Sequence, residues 1–307
     1  MAADRDADRA AAPRRPPEGG SRFGSASGRR WILLGITLAA VLAALTLDAS
    51  LSGLVPQKGG TELVLRFFAR ALRPALDYES EVPDGTAPLW MAALAAARRT
   101  VVFAVAAMSL ALVGGVVLGF LGSSAWWAGA PRGGNGAVQR AFYRGFAPAV
   151  WAAARVLIVG MRSVHELLWA VLFLAAMGLN NVTAVVAIAI PYAGTLGKVF
   201  SEMIDEAPRD AALALRASGA TNLSVFALGL VPRALPDMWA YAFYRFECAI
   251  RSSAILGFFG FPTLGYSISA SFENLHYGEV WTYLYALCAL VLGVELWSGA
   301  LRRRFVA

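Results

Sequence analysis

WMAALAAARRTVVFAVAAMSLALVGGVVLGFL, the run from Trp90 to Leu121, decides the fold class. A bilayer core about 30 Å thick takes about 20 apolar residues in a helix. This run is longer than a perpendicular span needs, which predicts tilt or an interfacial lead-in. Similar runs recur along the chain. They cover about 31–47, 146–178, 182–200, 222–260 and 281–301. The 146–178 run is again too long for one simple span, and Gly160, Arg162 and His165 interrupt it, so a kink or a broken helix is expected there. Pro232 and Pro236 break the run that ends near Gly260.

The composition agrees with a protein whose solvent is lipid. Of 307 residues 58% are hydrophobic and 15% charged, against about 25% charged in a soluble domain. The expected fold is all-α: a polytopic transmembrane helical bundle of about six spans. Residues 1–28 are Ala, Arg, Asp, Pro, Gly and Ser with almost no large apolar side chain. Such a segment cannot offset its ordering entropy, so it reads as a disordered cytoplasmic tail, and 29–307 as the membrane domain. The stretch 50–88 differs. Leu63, Leu65, Phe67, Phe68 and Leu72 are interleaved with Arg66, Arg70 and Arg73, which predicts an amphipathic helix lying in the interface.

The formal charge is +7. The arginines flank apolar runs rather than clustering on a water-facing surface, which argues against nucleic acid. With six spans they fall largely on one side. Arg29, Arg30, Arg132, Arg140, Arg144, Arg209, Arg216, Arg233 and the triplet Arg302–Arg304 share it, whereas the 261–278 loop has no Lys or Arg. The positive-inside rule then puts both termini in the cytoplasm. Cys248 and Cys288 lie in apolar runs, and His165 and His276 are far apart. Neither pair has metal-ligand spacing, and no metal or catalytic residue is expected. The segment Gly194-Thr-Leu-Gly197-Lys198-Val is too short for a phosphate loop.

The informative polar stretch is 201–222. It reads Glu202-Met-Ile-Asp205-Glu206-Ala-Pro208-Arg209-Asp210-Ala-Ala-Leu-Ala-Leu-Arg216-Ala-Ser-Gly219-Ala-Thr221, and Val231-Pro232 follows. Pro208 suits a first helical turn, Ala211 to Ala217 are mostly strong helix formers, and Gly219 is placed to end the helix. A short cytoplasmic helix between two spans is predicted.

That arrangement resembles the EAA loop of importer permeases of the ATP-binding-cassette superfamily. The family pattern has Glu-Ala-Ala, a Gly four residues on, and a hydrophobic-Pro pair whose Pro stands thirteen residues after the Gly. Ala214, Gly219 and Val231-Pro232 fall on those positions. The second half of the chain is similar to phosphonate-importer permeases in particular. Arg162-Ser-Val-His-Glu166-Leu-Leu-Trp169, Gly194-Thr-Leu-Gly-Lys198 and Tyr244-Arg245-Phe-Glu247 through Arg251-Ser-Ser-Ala-Ile-Leu-Gly257 carry that likeness. The resemblance implies that Pro208, Arg209, Asp210, Ala214, Arg216, Gly219 and Pro232 form the coupling region that docks on a separate ATPase subunit. ATP would be used by that partner, with no cofactor bound by this chain. It implies further partners: a second permease copy or paralogue, an extracytoplasmic solute-binding protein and membrane lipid. The setting implied is a bacterial inner membrane.

Three positions depart from the pattern. Leu213 stands where the family has glutamate, with Asp210 one turn earlier. His165 stands where it has proline. Phe261-Pro-Thr-Leu-Gly265 replaces a glycine-rich run. The first departure leaves a degenerate partner permease, working only beside an intact one, as the alternative function; the third leaves a different small solute.

Arg162, Glu166, Arg245, Glu247 and Arg251 lie in apolar helices, where charges are costly and face a bundle interior or a water-filled path. Glu247 and Arg251 are four apart, as are Arg162 and Glu166 in reverse order. Two readings stand. Either these are self-neutralised pairs that lock helices together, or an arginine offers its fork of donors to an anionic solute in transit.

Overall fold

The structure is a computed structural model that describes residues 26–47, 59–127 and 145–305. Most of the 1–28 tail, Lys58, and Arg132, Arg140 and Arg144 lie outside the described residues. No strand occurs among the described residues. The chain divides into two compact units, Met1–Val64 and Leu65–Ala307. In the first, helix α1 (Ala26–Thr46) is apolar and presents its leucines to the exterior, with Leu33 and Leu45 well over half exposed.

The boundary at Val64 falls within α2 (Gly60–Ala71). In the second unit α3 (Leu89–Gly122) and a single turn, α4 (Ser124–Trp127), follow. Helices α5 (Ala147–Ser163) and α6 (Glu166–Met177) come next, then α7 (Asn181–Glu206) and the short α8 (Asp210–Ala217). A π-helical segment, Val225–Leu230, leads into α9 (Val231–Ile255). After a 3₁₀ turn (Leu256–Phe259), α10 (Leu264–Glu273) and α11 (Tyr277–Phe305) complete the unit. Helices α1, α3, α7 and α11 are long and apolar enough to cross a bilayer. The α5–α6 pair, bent by 90°, and the α9–α10 pair, bent by 42°, bring the number to six if each is one span. This agrees with the six runs read from the sequence.

The packing spine is α3 against α7. Gly114 meets Ala193, Gly115 meets Leu196 and Gly119 meets Phe200, so contact numbers rise together and the helices run in the same direction. A methyl group at Gly115 would stand 2.5 Å from Leu196 Cβ, and one at Gly119 2.8 Å from Phe200 Cβ. The G-x-x-x-G spacing lets the two backbones approach, the usual device where lipid removes the hydrophobic drive between helices.

The expected break in 146–178 is real. Val164 (φ −102, ψ 129) and His165 (φ −65, ψ 145) are extended, and the His165 ring accepts a hydrogen bond from Leu167 N–H at 3.3 Å. His165 thus takes the φ that a proline would impose, which reconciles it with the family pattern. Two expectations need correction. The 261–278 loop contains α10, whose first residue, Leu264, donates its N–H to Thr100 Oγ1 at 3.0 Å, while the Ser253 hydroxyl of α9 donates to Thr100 O at 2.8 Å. Phe261, 1% exposed, fills the core beside Phe103. Pro232 and Pro236 do not break the helix: Pro232 follows directly on the π-helical segment, where Val231 N–H bonds Phe226 O, and α9 continues through Pro236.

At one end of the bundle the chain after α2 is clasped to the start of α11. Glu279, 5% exposed, accepts from Glu79 N–H at 2.8 Å and from the Ser271 hydroxyl at 2.8 Å. Glu79 in turn accepts from Gly278 N–H at 3.1 Å and faces Arg70 at 3.6 Å. Trp281, Thr282 and Tyr285 donate to the carbonyls of Phe67, Ala75 and Ala71. Phe67 meets the rings of Phe272 and Tyr277 edge to face and that of Trp281 at a tilt, so this face of the amphipathic segment is covered by aromatic rings.

Candidate functional site: the α8 helix and the polar face of α9

Helix α8 forms where the sequence predicts a short helix, but its start is shifted. Ala207 is extended (φ −56, ψ 142), as a residue before proline tends to be. Pro208 therefore makes the corner after α7, and Asp210 rather than Pro208 opens α8. Arg209 reaches back to donate to Asp205 O at 3.3 Å, satisfying a carbonyl in the last turn of α7. At the other end Gly219 has φ +82. Ala220 N–H bonds Leu215 O at 3.0 Å and Gly219 N–H bonds Arg216 O at 3.1 Å. This is the Schellman arrangement, and it requires the left-handed residue that glycine supplies.

Buried Ala212 and half-buried Leu215 face the π-helical segment. A methyl group at Gly229 would lie 3.0 Å from Ala212 Cα, so α8 and the entry to α9 touch at backbone distance. Arg233 of α9 adds an ion pair to Asp210 at 3.7 Å. The opposite face of α8 carries Asp210, Leu213, Ala214 and Ala217, all exposed. Their spacing of three and four places them in one row. Leu213 is 59% exposed, an apolar side chain that the described residues leave uncovered. Arg216 is exposed beside it.

The inner neighbour of α8 is anchored by Asp205, near the end of α7. Its carboxylate accepts from the Ser123 hydroxyl at 2.6 Å, Ser124 N–H at 3.0 Å and Ala125 N–H at 2.8 Å, and lies 3.6 Å from Arg155. One side chain thus joins the ends of α3 and α7 to α5.

Helix α9 carries a polar face along its whole length. Arg233, Asp237, Tyr241, Arg245, Cys248 and Ser252 succeed one another at steps of four or three, which stacks them on one side. Near α8 this face opens on a cavity of about 610 Å³ bordered by Glu206, Arg233, Asp237, Tyr241, Tyr244 and Arg302. Further along, the Arg245 guanidinium lies over the Tyr192 ring, 4.3 Å from its centroid, and Arg245 Nε is buried without a hydrogen-bond partner. The Ser252 hydroxyl donates to Glu166 at 2.8 Å and lies 3.0 Å from the Tyr192 hydroxyl. Serine has one proton to give, so Tyr192 is the donor and the chain runs Tyr192 to Ser252 to Glu166.

The intrahelical ion pairs do not form. Glu247 faces Arg302 of α11 at 3.4 Å, and Arg251 bonds Cys248 Sγ at 3.5 Å. Arg162 ends α5 and Glu166 opens α6 across the 90° bend, so helical spacing does not apply between them. The structure brings Glu166 and Arg245 to one cluster through Tyr192 and Ser252, and sets Glu247 against α11. Tyr192 and Ser252 are not site candidates on the sequence alone, and Arg302 figures there only as a topology marker. The row of polar residues on α9 was the available signal for Ser252.

The fold is shared with a solved ABC transporter. It superposes on an inward-facing structure of the MetNI methionine ABC transporter with a TM-score of 0.56, covering 70% of this chain and 96% of that one at 18% identity. At that identity the likeness is one of fold. Residues 141–306 match the family described as binding-protein-dependent transport system inner membrane component, and the chain belongs to that family. Over 161 residues it is 37% identical to the phosphite transport system permease protein PtxC of Stutzerimonas stutzeri, a stretch covering 52% of this chain and 58% of that protein. It is 32% identical over 156 residues to the phosphate-import permease protein PhnE of Mycolicibacterium smegmatis, covering 51% of this chain and 29% of that one. The matched stretch thus spans little more than half of the first relative and less than a third of the second.

Proposed function

We propose that this chain is the membrane permease subunit of an ATP-driven bacterial importer for phosphite, phosphonate or a related small oxyanion. The observation that carries the reading is the direct connection from α8, through the π-helical segment, to the polar face of α9. A docked ATPase would move α8, and α9 would move the residues that meet the solute. In this reading both termini face the cytoplasm of a cell with an inner membrane, and α8 presents its exposed row to the ATPase. The chain binds no cofactor itself; ATP is hydrolysed by the partner. An extracytoplasmic binding protein delivers solute to a gap shared with a second permease, copy or paralogue.

The relatives named for phosphite and phosphate support the solute class, and so does the cluster around Arg245. A guanidinium with an unshared donor suits the oxygens of such an anion. The test is uptake of radiolabelled phosphite and methylphosphonate into vesicles containing the full importer. Arg245→Gln, inserted at normal level, is expected to lower uptake at subsaturating solute about tenfold, since a hydrogen bond to a charged group contributes about 1.5 kcal/mol or more. Unchanged uptake kinetics would remove Arg245 from the pathway. A second reading, a degenerate permease active only beside an intact paralogue, is favoured by exposed Leu213 at the usually acidic position. Uptake by a complex containing this chain as its sole permease would rule it out.

A further inference from the structure

A second cavity, of about 690 Å³, lies beside the start of α7 and is bordered by Arg98, Arg99, Val102, Ala106, Asn181 and Val185 among others. Its charge differs from that of the cavity near α8. It has two guanidiniums, and no border residue is acidic. Among the described residues neither arginine is ion-paired, and both are exposed. Two adjacent cations on an apolar helix, without an ion pair among the described residues, favour an anionic ligand.

The depth of the cavity narrows the choice. Helix α7 has 26 residues, about 39 Å at 1.5 Å per residue, against a hydrocarbon core of about 30 Å. Its first residue, Asn181, therefore stands at headgroup level, and the two arginines border the same cavity. From Arg98 to Ala106 is about 12 Å along α3. Charge at one end thus gives way to Val102, Ala106 and Val185 on the side towards the bilayer centre. A small free oxyanion gains nothing from such walls and loses hydration against them. An anion carried on a hydrocarbon tail uses both ends.

We propose that this cavity holds one phospholipid, its phosphate between Arg98 and Arg99 and an acyl chain along Val102, Ala106 and Val185. The inference is independent of the transport reading. The test is native mass spectrometry of the full chain released from micelles doped with phosphatidylglycerol and phosphatidylcholine. The wild type is expected to retain one phospholipid per chain, with phosphatidylglycerol preferred. In Arg98→Gln/Arg99→Gln the retained fraction is expected to fall at least fivefold. Ala106→Leu, which keeps both cations and fills the acyl wall, is expected to lower it as well, and decides the matter if the double variant fails to insert. Retention in both variants equal to wild type overturns the proposal. Displacement of the lipid by millimolar inorganic phosphate, or a loss confined to the arginine variant, would mark a free-oxyanion site instead and also overturn it. So would cross-linking of Val102→Cys, on a Cys248→Ser/Cys288→Ser background, into a covalent dimer, which would show a second copy in the cavity.

Discussion

The clasp around Glu279 and the cluster around Arg245 are both polar groupings in an apolar bundle, yet they are built differently. In the clasp each charge meets a complement: Glu279 accepts two hydrogen bonds, and Glu79 has a backbone donor and Arg70. In the second cluster Arg245 keeps a buried nitrogen without a partner, and the row on α9 ends in an open cavity. A closed set of bonds holds elements together. A set with an unspent buried donor has bonding capacity left over. The difference separates structural polarity from polarity available for transport more clearly than residue type does.

The largest effect is expected on the closed side. Glu279→Ala leaves the Glu79 N–H and the Ser271 hydroxyl without their acceptor and is expected to cost about 3 kcal/mol. Tryptophan-fluorescence melts of the detergent-solubilised protein would detect it, and an unchanged melt would deny the clasp its structural role. Next comes Ser252→Ala, which interrupts the chain from Tyr192 to Glu166 at a cost of about 1–2 kcal/mol. Here uptake should fall by more than the melt predicts; loss of stability with normal uptake would class this cluster with the clasp. The smallest effect is expected from Gly219→Ala, about 1 kcal/mol of left-handed strain, since open space surrounds the position. It should weaken retention of the ATPase partner on an affinity column while barely moving the melt. Equal retention would mean that the α8 terminus is not read by the partner.

Much of this fold is visible in the sequence because lipid imposes long apolar runs. Turn chemistry also made the end of α8 and the break near His165 legible. What escaped depends on contacts between distant segments. Helix α10 is ten residues long, too short to announce itself, and is seated on Thr100 from another helix. Arg302, which faces Glu247, and Ser252, which donates to Glu166, are likewise remote. Spacing along one helix suggested nearer partners for both acids, and tertiary geometry chose others. The polar row of α9 could have been found by projecting 231–255 on a helical wheel, but two prolines made the region look interrupted.

The π-helical segment between α8 and α9 bears on the thirteen-residue interval from Gly219 to Pro232. Each residue added to a helix rotates the next one by about 100° around the axis. The interval therefore sets a phase as well as a distance. Removing one residue from Val225–Leu230 would swing Arg233, Tyr241, Arg245 and Ser252 together towards a different neighbour, with every one of those side chains still present. The tolerance of this joint is measured in degrees, and a deletion there would act as a misaligned key.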